Sequence, residues 1–230
     1  MGDVVREGDT VIRPSGEWTP AVHHLLSHLN AAGVYGVPKP LGITEDRREV
    51  LSFVEGMVPT YPMPGWAWAE TALESSARLL RQVHDATAGV DLQGPWRSPV
   101  REPVEVVCHN DFAICNLVFD GEAVVGVIDW DFASPGPRLW DIAYLAYRIV
   151  PLSSGDRRDG FTDEERDRRL ERLLDAYGCD AKPRDVITVL HERLLALAAF
   201  SDDMAERLGK PELGEHASLY RHDAAHLPAT

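Results

Sequence analysis

Lysine is the scarcest charged residue in this chain: Lys39, Lys182 and Lys210 are the only three, and arginine supplies the remaining positive charge. A lysine that grips nucleotide phosphates therefore has few places to come from. No run approaches the roughly 18 consecutive apolar residues of a membrane-spanning helix, so no membrane association is expected. The opening residues, MGDVVREGDTVIRP, hold no apolar core of a secretory signal, which points to a cytoplasmic protein. Three cysteines, Cys108, Cys115 and Cys179, are an odd set without metal-ligand spacing, and they read as reduced thiols. Basic excess is lacking as well. The net charge of −14 argues against nucleic acid as a partner, because phosphate backbones demand basic patches. That acidity serves solubility, and it also suits a cleft that would concentrate a cationic substrate. Glycine-rich phosphate loops are missing too, since Gly8 and Gly16 make no G-x-G-x-x-G pattern.

What is present has room to fold as one small and one large lobe, given 230 residues. Val4-Val5 and Thr10–Arg13 flank a Glu7-Gly8-Asp9 turn and predict a hairpin. Thr19 is placed to cap a helix with Pro20 at its first position, ending at Ala31-Ala32-Gly33. Two strand-like runs follow, at 37–43 and 49–56. Residues 57–65, with Pro59, Pro62 and Pro64, have the composition of a connector. Ala72, Leu73, Ala77, Leu80 and His84 recur at helical spacing within 66–86. Short strands are expected at 104–108, 116–119 and 124–128, and helices near 139–150, 163–177, 184–208 and 212–225. Arg157-Arg158, Arg166 and Arg168-Arg169 alternate with acids and read as a solvated helix face.

The segment that carries chemistry is His109-Asn110-Asp111-Phe112-Ala113-Ile114-Cys115-Asn116, followed after a hairpin by Ile128-Asp129-Trp130. Phosphoryl transfer needs a carboxylate near the attacking hydroxyl and hard oxygen ligands for the magnesium that bridges the phosphates. Asp111 and Asn116 stand five apart across one loop, and Asp129 lies 18 residues beyond Asp111. This spacing reproduces H-x-D-x-x-x-x-N followed by a metal-binding aspartate. Asp131, two residues further on, is a candidate for the metal or the substrate, or a turn residue.

HNDFAICN together with VIDWDFASPGPRLWDIAYLA resembles the aminoglycoside phosphotransferase family, whose relatives include choline kinases, over roughly residues 50–150. The resemblance implies an α+β, two-lobed protein-kinase-like fold with a shortened N-terminal lobe and a mainly helical C-terminal lobe. Residues 1–56 would form the nucleotide lobe, with a hinge at 51–56, and 57–230 the catalytic and substrate lobe. It further implies that Asp111 acts as base or hydroxyl-orienting carboxylate, with His109 bracing its loop and Asp141 holding that loop from below. Asn116 and Asp129 would bind Mg²⁺, and backbone groups near Phe53 and Val54 would meet the adenine of ATP or GTP. Arg13 would be the phosphate-anchoring cation. In relatives the C-terminal helices build the acceptor pocket, which makes Asp202, Asp203 and Glu206 candidates to face the substrate. The implied acceptor is a small-molecule hydroxyl, with aminoglycoside-like or other cationic compounds as candidates.

Two departures from that pattern matter. No Asp or Glu occurs between Pro20 and Ala32 to pair with Arg13, which leaves Glu17 as a substitute, and only one hairpin fits before Arg13. Those departures leave room for a pseudokinase acting as a binding module, or for a partner protein or dimer that completes the nucleotide site. A metal-dependent phosphohydrolase using His109, Asp111, Asp129 and Asp131 is a further rival that lacks enough ligands.

Overall fold

The chain begins as strands because β-branched residues alternate on either side of a glycine turn. In the computed structural model, which describes residues 4–154 and 160–228, β1 (Val5–Glu7) and β2 (Thr10–Pro14) pair antiparallel. Gly8 takes a φ of 60° in their turn, a conformation open to a residue without Cβ. With β3 (Pro40–Ile43) and β4 (Arg48–Ser52) they form a four-stranded antiparallel sheet in the order β1-β2-β4-β3.

Helix α1 (Thr19–Ala31) buries Ala21, Val22, Leu25, Leu26 and Leu29, the stripe that a 3.6-residue period places on one side. Trp18, not Thr19, holds its cap position; the Thr19 hydroxyl instead accepts from the Gly16 amide at 2.9 Å. Along β4 the burial alternates, so Glu49 and Leu51 turn inward while Arg48, Val50 and Ser52 are half-exposed. A carboxylate at an inward position needs partners, and that need shapes the site below.

A single 3₁₀ turn at Gly65–Trp68 precedes α2 (Glu70–Thr87), which buries Leu73, Ala77, Leu80 and His84. Among the described residues the remaining elements are β5 (Val106–Cys108), a further 3₁₀ turn at Ile114–Asn116, β6 (Leu117–Asp120), β7 (Ala123–Val127), β8 (Ser134–Gly136), α3 (Arg138–Ile149), α4 (Asp163–Tyr177), α5 (Pro183–Leu208) and α6 (Pro211–Ala225). α2 lies at the centre of this half, against α4, β7, β5 and α3. Strand β8 is not announced by the sequence pattern, because Pro135 stands in its middle. It pairs with β5 so that Cys108 lies opposite Ser134. That ladder closes the chain between 109 and 133 into one loop-and-hairpin unit whose two ends are fixed side by side.

Arg166 and Arg169 do not lie on a solvated face: both are buried, whereas Arg168 is exposed. Arg166 Nε donates to the Pro151 carbonyl at 2.9 Å, and Arg169 donates to the Trp68 and Ile149 carbonyls at 2.9 and 2.8 Å. These carbonyls end the 3₁₀ turn and α3, where no backbone donor remains to satisfy them. Arg157 and Arg158 fall outside the described residues.

Backbone docks directly on backbone where the sheet meets the β6–β7 hairpin. The Val127 amide donates to the Gly36 carbonyl at 2.8 Å, and Met57 bridges Phe119. A Cβ at Gly36 would fall 1.9 Å from the Val125 carbonyl oxygen, and φ there is +75°. Gly36→Ala is therefore expected to cost at least the ~1–2 kcal/mol of a left-handed non-glycine residue, and more for the clash. Urea unfolding checks this; an unchanged midpoint would show that the junction is soft. Among the described residues no helix is long and apolar enough to cross a membrane.

Candidate active site

Asp111 sits half-buried in the loop between β5 and β6, and its shape is held from three sides. From below, the fully buried Asp141 in the first turn of α3 accepts the amides of His109 at 2.6 Å and Asn110 at 2.8 Å. Its third contact is His84 Nε2 at 3.3 Å, whose other ring nitrogen meets the Tyr177 hydroxyl at 2.8 Å. Burial alone would raise the Asp141 pKa, but the hydrogen bond and charge of His84, then Arg193 and His109, outweigh it and hold it below the usual carboxylate range.

His109 is also fully buried. Its Nδ1 accepts the Asp111 amide at 3.2 Å, which leaves Nε2 to donate to the Ile128 carbonyl at 3.1 Å. Burial pushes its pKa down, against the pull of Asp141, Asp111 and Asp129, so the neutral form with the proton on Nε2 fits this pattern. His109 thereby ties the Asp111 loop to the strand that leads into Asp129.

From α5, Arg193 Nη2 donates to the Asn110 carbonyl at 2.5 Å while its guanidinium packs on the rings of Tyr144 and Trp140. Asn110 has φ of +63°, and so does Asp129. Such left-handed residues are uncommon outside glycine, though Asn and Asp tolerate the conformation best. Here they flank the site, where the surrounding bonds hold them in place.

Asn116 gives its amide hydrogens to the Asp111 carbonyl at 2.9 Å and to Asp111 Oδ2 at 2.8 Å, which fixes the carboxylate and leaves its own Oδ1 as an acceptor. Burial raises the Asp111 pKa; His109 and the Asn116 hydrogen bond oppose that rise and Asp129 adds to it.

Across the cleft stands Arg13 of β2. Nε donates to Glu49 Oε1 at 2.6 Å, Nη1 to Asp129 Oδ1 at 3.0 Å and Nη2 to Asp131 Oδ1 at 2.6 Å. Burial by itself would lower the Arg13 pKa, but Asp131, Glu49 and Asp129 outweigh it and keep the guanidinium charged. Glu49, not the exposed Glu17, is thus the acid that partners Arg13, because β2–β4 register sets Arg13 and Glu49 opposite one another.

Asp131 is held on both oxygens, by Arg13 and by Arg97 at 3.5 Å. Burial raises its pKa against the attraction of Arg13. Arg97 lies between the rings of Trp18 and Phe132, and Phe132 meets Phe200 of α5 edge-on.

The structure therefore brings Arg13, His109, Asp111, Asn116, Asp129, Asp131 and Asp141 into one constellation. The remaining candidates lie elsewhere. The Phe53 amide is already donated to the Asp9 carbonyl at 2.7 Å, and Arg6 covers its ring; Val54 packs near Gly126. Asp202 is ion-paired with Arg221 and Asp203 with Arg207, while Glu206 is exposed. They continue α5 beyond Phe200.

The donor set suits a hard divalent cation. Five carboxylates, Glu49, Asp111, Asp129, Asp131 and Asp141, face three guanidinium groups, Arg13, Arg97 and Arg193, which leaves an excess of negative charge. Asn116 Oδ1 and the Asp129 carboxylate are candidate oxygen ligands for such a cation, of the hard kind that magnesium prefers.

A sheet-and-helix lobe docked on a helical lobe, with an HNDFAICN loop and an IDWD turn facing the cleft, is the architecture of the protein-kinase-like phosphotransferases. Residues 91–192 match the model of the phosphotransferase enzyme family that includes the aminoglycoside phosphotransferases, and the chain belongs to that family. It is 33% identical over 192 residues to the trifolitoxin immunity protein of Rhizobium leguminosarum bv. trifolii, covering 79% of this chain and 72% of that one. Its fold is similar to a choline/ethanolamine kinase family protein from Mesorhizobium loti, with a TM-score of 0.68, 17% identity, and coverage of 99% of this chain and 85% of that one. It is also similar to a spectinomycin phosphotransferase solved with ADP and spectinomycin, at a TM-score of 0.67, 12% identity, and coverage of 98% and 90%.

Proposed function

We propose that this chain transfers the γ-phosphoryl group of ATP or GTP, with Mg²⁺, to a hydroxyl of a small molecule. The observation that carries this reading is the convergence of Asp111, tied to Asn116, with Asp129 and the charged Arg13 across one cleft.

In this reading the acceptor hydroxyl lies against Asp111, which orients it and takes its proton as the new O–P bond forms and the bond from the γ-phosphorus to the departing nucleoside diphosphate breaks. Asn116 fixes the Asp111 carboxylate through Oδ2, so the other oxygen is the one presented to the hydroxyl. Arg13 offers Nη1 and Nη2 to phosphate oxygens, the paired donors that suit them. When bound at Asn116 and Asp129, Mg²⁺ would neutralise phosphate charge. Adenine or guanine would lie by residues 53–54, on backbone groups other than the Phe53 amide. His109 and Asp141 act one step removed, by holding the loop.

The excess of carboxylates favours a cationic or neutral acceptor. Asp202 and Asp203 add little to that field, since each is paired with an arginine. A relative named for immunity to a toxin, and a fold neighbour solved with the antibiotic spectinomycin, support a role in which phosphorylation inactivates a toxic compound.

Thermal unfolding tests the nucleotide half. At about 100 times its dissociation constant, Mg·ATP or Mg·GTP stabilises by ~2.7 kcal/mol, which raises Tm by roughly 5–10 °C for a domain of this size. Mass spectrometry of hydroxylated antibiotics and choline-like alcohols incubated with enzyme and Mg·nucleotide tests the transfer. A shift without transfer to any acceptor would favour the pseudokinase, and neither effect would end the proposal.

A further inference from the structure

In protein kinases the phosphate-anchoring lysine is paired with a glutamate on the neighbouring helix, whereas α1, the helix beside Arg13, carries no acid anywhere along Thr19–Ala31. The carboxylate is supplied instead by the neighbouring strand. Glu49 of β4 is the cross-strand partner of Arg13, and its Oε1 accepts Nε at 2.6 Å. Its other oxygen, Oε2, lies 2.9 Å from His23 Nε2 on α1. The Glu49 side chain is only 2% exposed, and those of Arg13 and His23 are 14% and 16%. We infer that Glu49, oriented by His23, is the positioning carboxylate of the nucleotide site, moved from the helix to the strand. This inference rests on the nucleotide-binding role proposed above for Arg13.

The arrangement explains why the anchor is arginine in a chain that holds so little lysine. One guanidinium reaches three carboxylates through three different nitrogens, which a single ammonium on a flexible stem does not do in fixed directions. Nε is the fixed end, held by Glu49 in the interior. Nη1 and Nη2 are the exchangeable ends, resting on Asp129 and Asp131 and able to turn to phosphate oxygens. Because Arg13 and Glu49 are opposite one another in a ladder, backbone register sets their separation. A shift of α1 therefore leaves the pair intact and removes only the His23 contact, so helix movement has little leverage on the anchor.

The test measures the dissociation constant of Mg·ATP by calorimetry on the full chain and four variants, with Tm recorded for each. Glu49→Gln keeps the shape and removes the charge, and it is expected to weaken binding by about 10- to 100-fold, the range for a hydrogen bond to a charged group. In an Arg13→Met background the same change is expected to cost less than about twofold, because Glu49 then has no anchor to hold. His23→Glu combined with Glu49→Gln returns a carboxylate to the helix at the same spot and is expected to recover most of the affinity. Glu49→Gln with wild-type affinity would overturn the inference, as would an equal loss in the presence and absence of Arg13, which marks a merely structural residue. Failure of the wild-type chain to bind Mg·nucleotide would remove both this inference and the proposed function, whereas wild-type binding with an indifferent Glu49 removes this inference alone.

Discussion

Asp111→Asn is expected to lower turnover by about 10²–10⁴-fold, the range for losing a positioned acid–base group, with the dissociation constant of Mg·nucleotide nearly unchanged. Asp111 touches the reacting hydroxyl in the proposed chemistry, and the phosphates would be held elsewhere, by Arg13 and by the Mg²⁺ that Asn116 and Asp129 would carry. The substitution keeps the side-chain shape and an oxygen for the Asn116 amide, so the loss reports the carboxylate's basicity. A turnover number close to wild type would refute the assigned role.

The same variant should be more stable than wild type at neutral pH. The folded-state pKa of Asp111 is raised, chiefly by burial, so its ionised form is disfavoured in the fold relative to the unfolded chain. Stability from this group falls as pH rises through a window that starts near the unfolded value of about 3.9 and ends at the raised folded value. The neutral amide escapes that penalty, so a Tm above that of wild type is expected at neutral pH. For the same reason the acid limb of the wild-type pH–rate profile should lie above the ordinary carboxylate range. Loss of activity with a gain in stability marks a group held for chemistry rather than for folding.

Asp141→Ala should do the reverse and damage both. It removes the acceptor of two backbone amides, His109 and Asn110, and the carboxylate nearest the buried Arg193 and His84. Breaking a fully buried charged network of this kind costs about 3–5 kcal/mol, or roughly 6–20 °C in Tm. Turnover should fall as well, because the residue before Asp111 loses its support. Circular dichroism melts and kinetics on the same preparation check both effects; a variant that melts within a few degrees of wild type would show that the loop is held by other means.

Its pH signature is opposite to that of Asp111. The folded pKa of Asp141 is depressed, so its contribution is present above the unfolded value and is lost as pH falls through the folded one. That window opens below about pH 4. Asp141→Asn should therefore lose less stability than wild type between neutral pH and strong acid, a difference that urea midpoints at several pH values would show.

The contrast between these two aspartates illustrates what a sequence does and does not show. Asp111, Asn116 and Asp129 were legible because they lie on one short loop and the hairpin after it, so spacing along the chain nearly equals spacing in space. Asp141 was legible in position, but its hydrogen bonds to two amides depend on how α3 packs beneath the loop. His23, Arg97, Trp18 and Arg193 gave no signal. They come from other parts of the chain, and nothing local separates them from ordinary surface residues. Glu49 offered one clue, a charged residue at the inward position of an alternating strand. Arg166 and Arg169 show the same limit, because a helix with arginines at regular spacing reads alike whether they face water or cap another element's carbonyls. β8 was hidden by its proline and its length of three residues, and only its pairing with β5 makes it a strand.

By itself, then, the sequence determined the family, the order of lobes, the loop and turn that carry the carboxylates, and one of the cations that face them, Arg13. The family, the lobes and the role of Arg13 follow from the resemblance that the motifs carry, and the loop and turn from residue spacing along one short stretch of chain. Tertiary structure decided which acid holds Arg13, why His109 is braced as a neutral ring, and why Asp111 and Asp141 have pKa values shifted in opposite directions. Two aspartates of identical chemistry differ there because burial dominates for one, while for the other hydrogen bonds and nearby charges outweigh burial, and only folding brings those neighbours together.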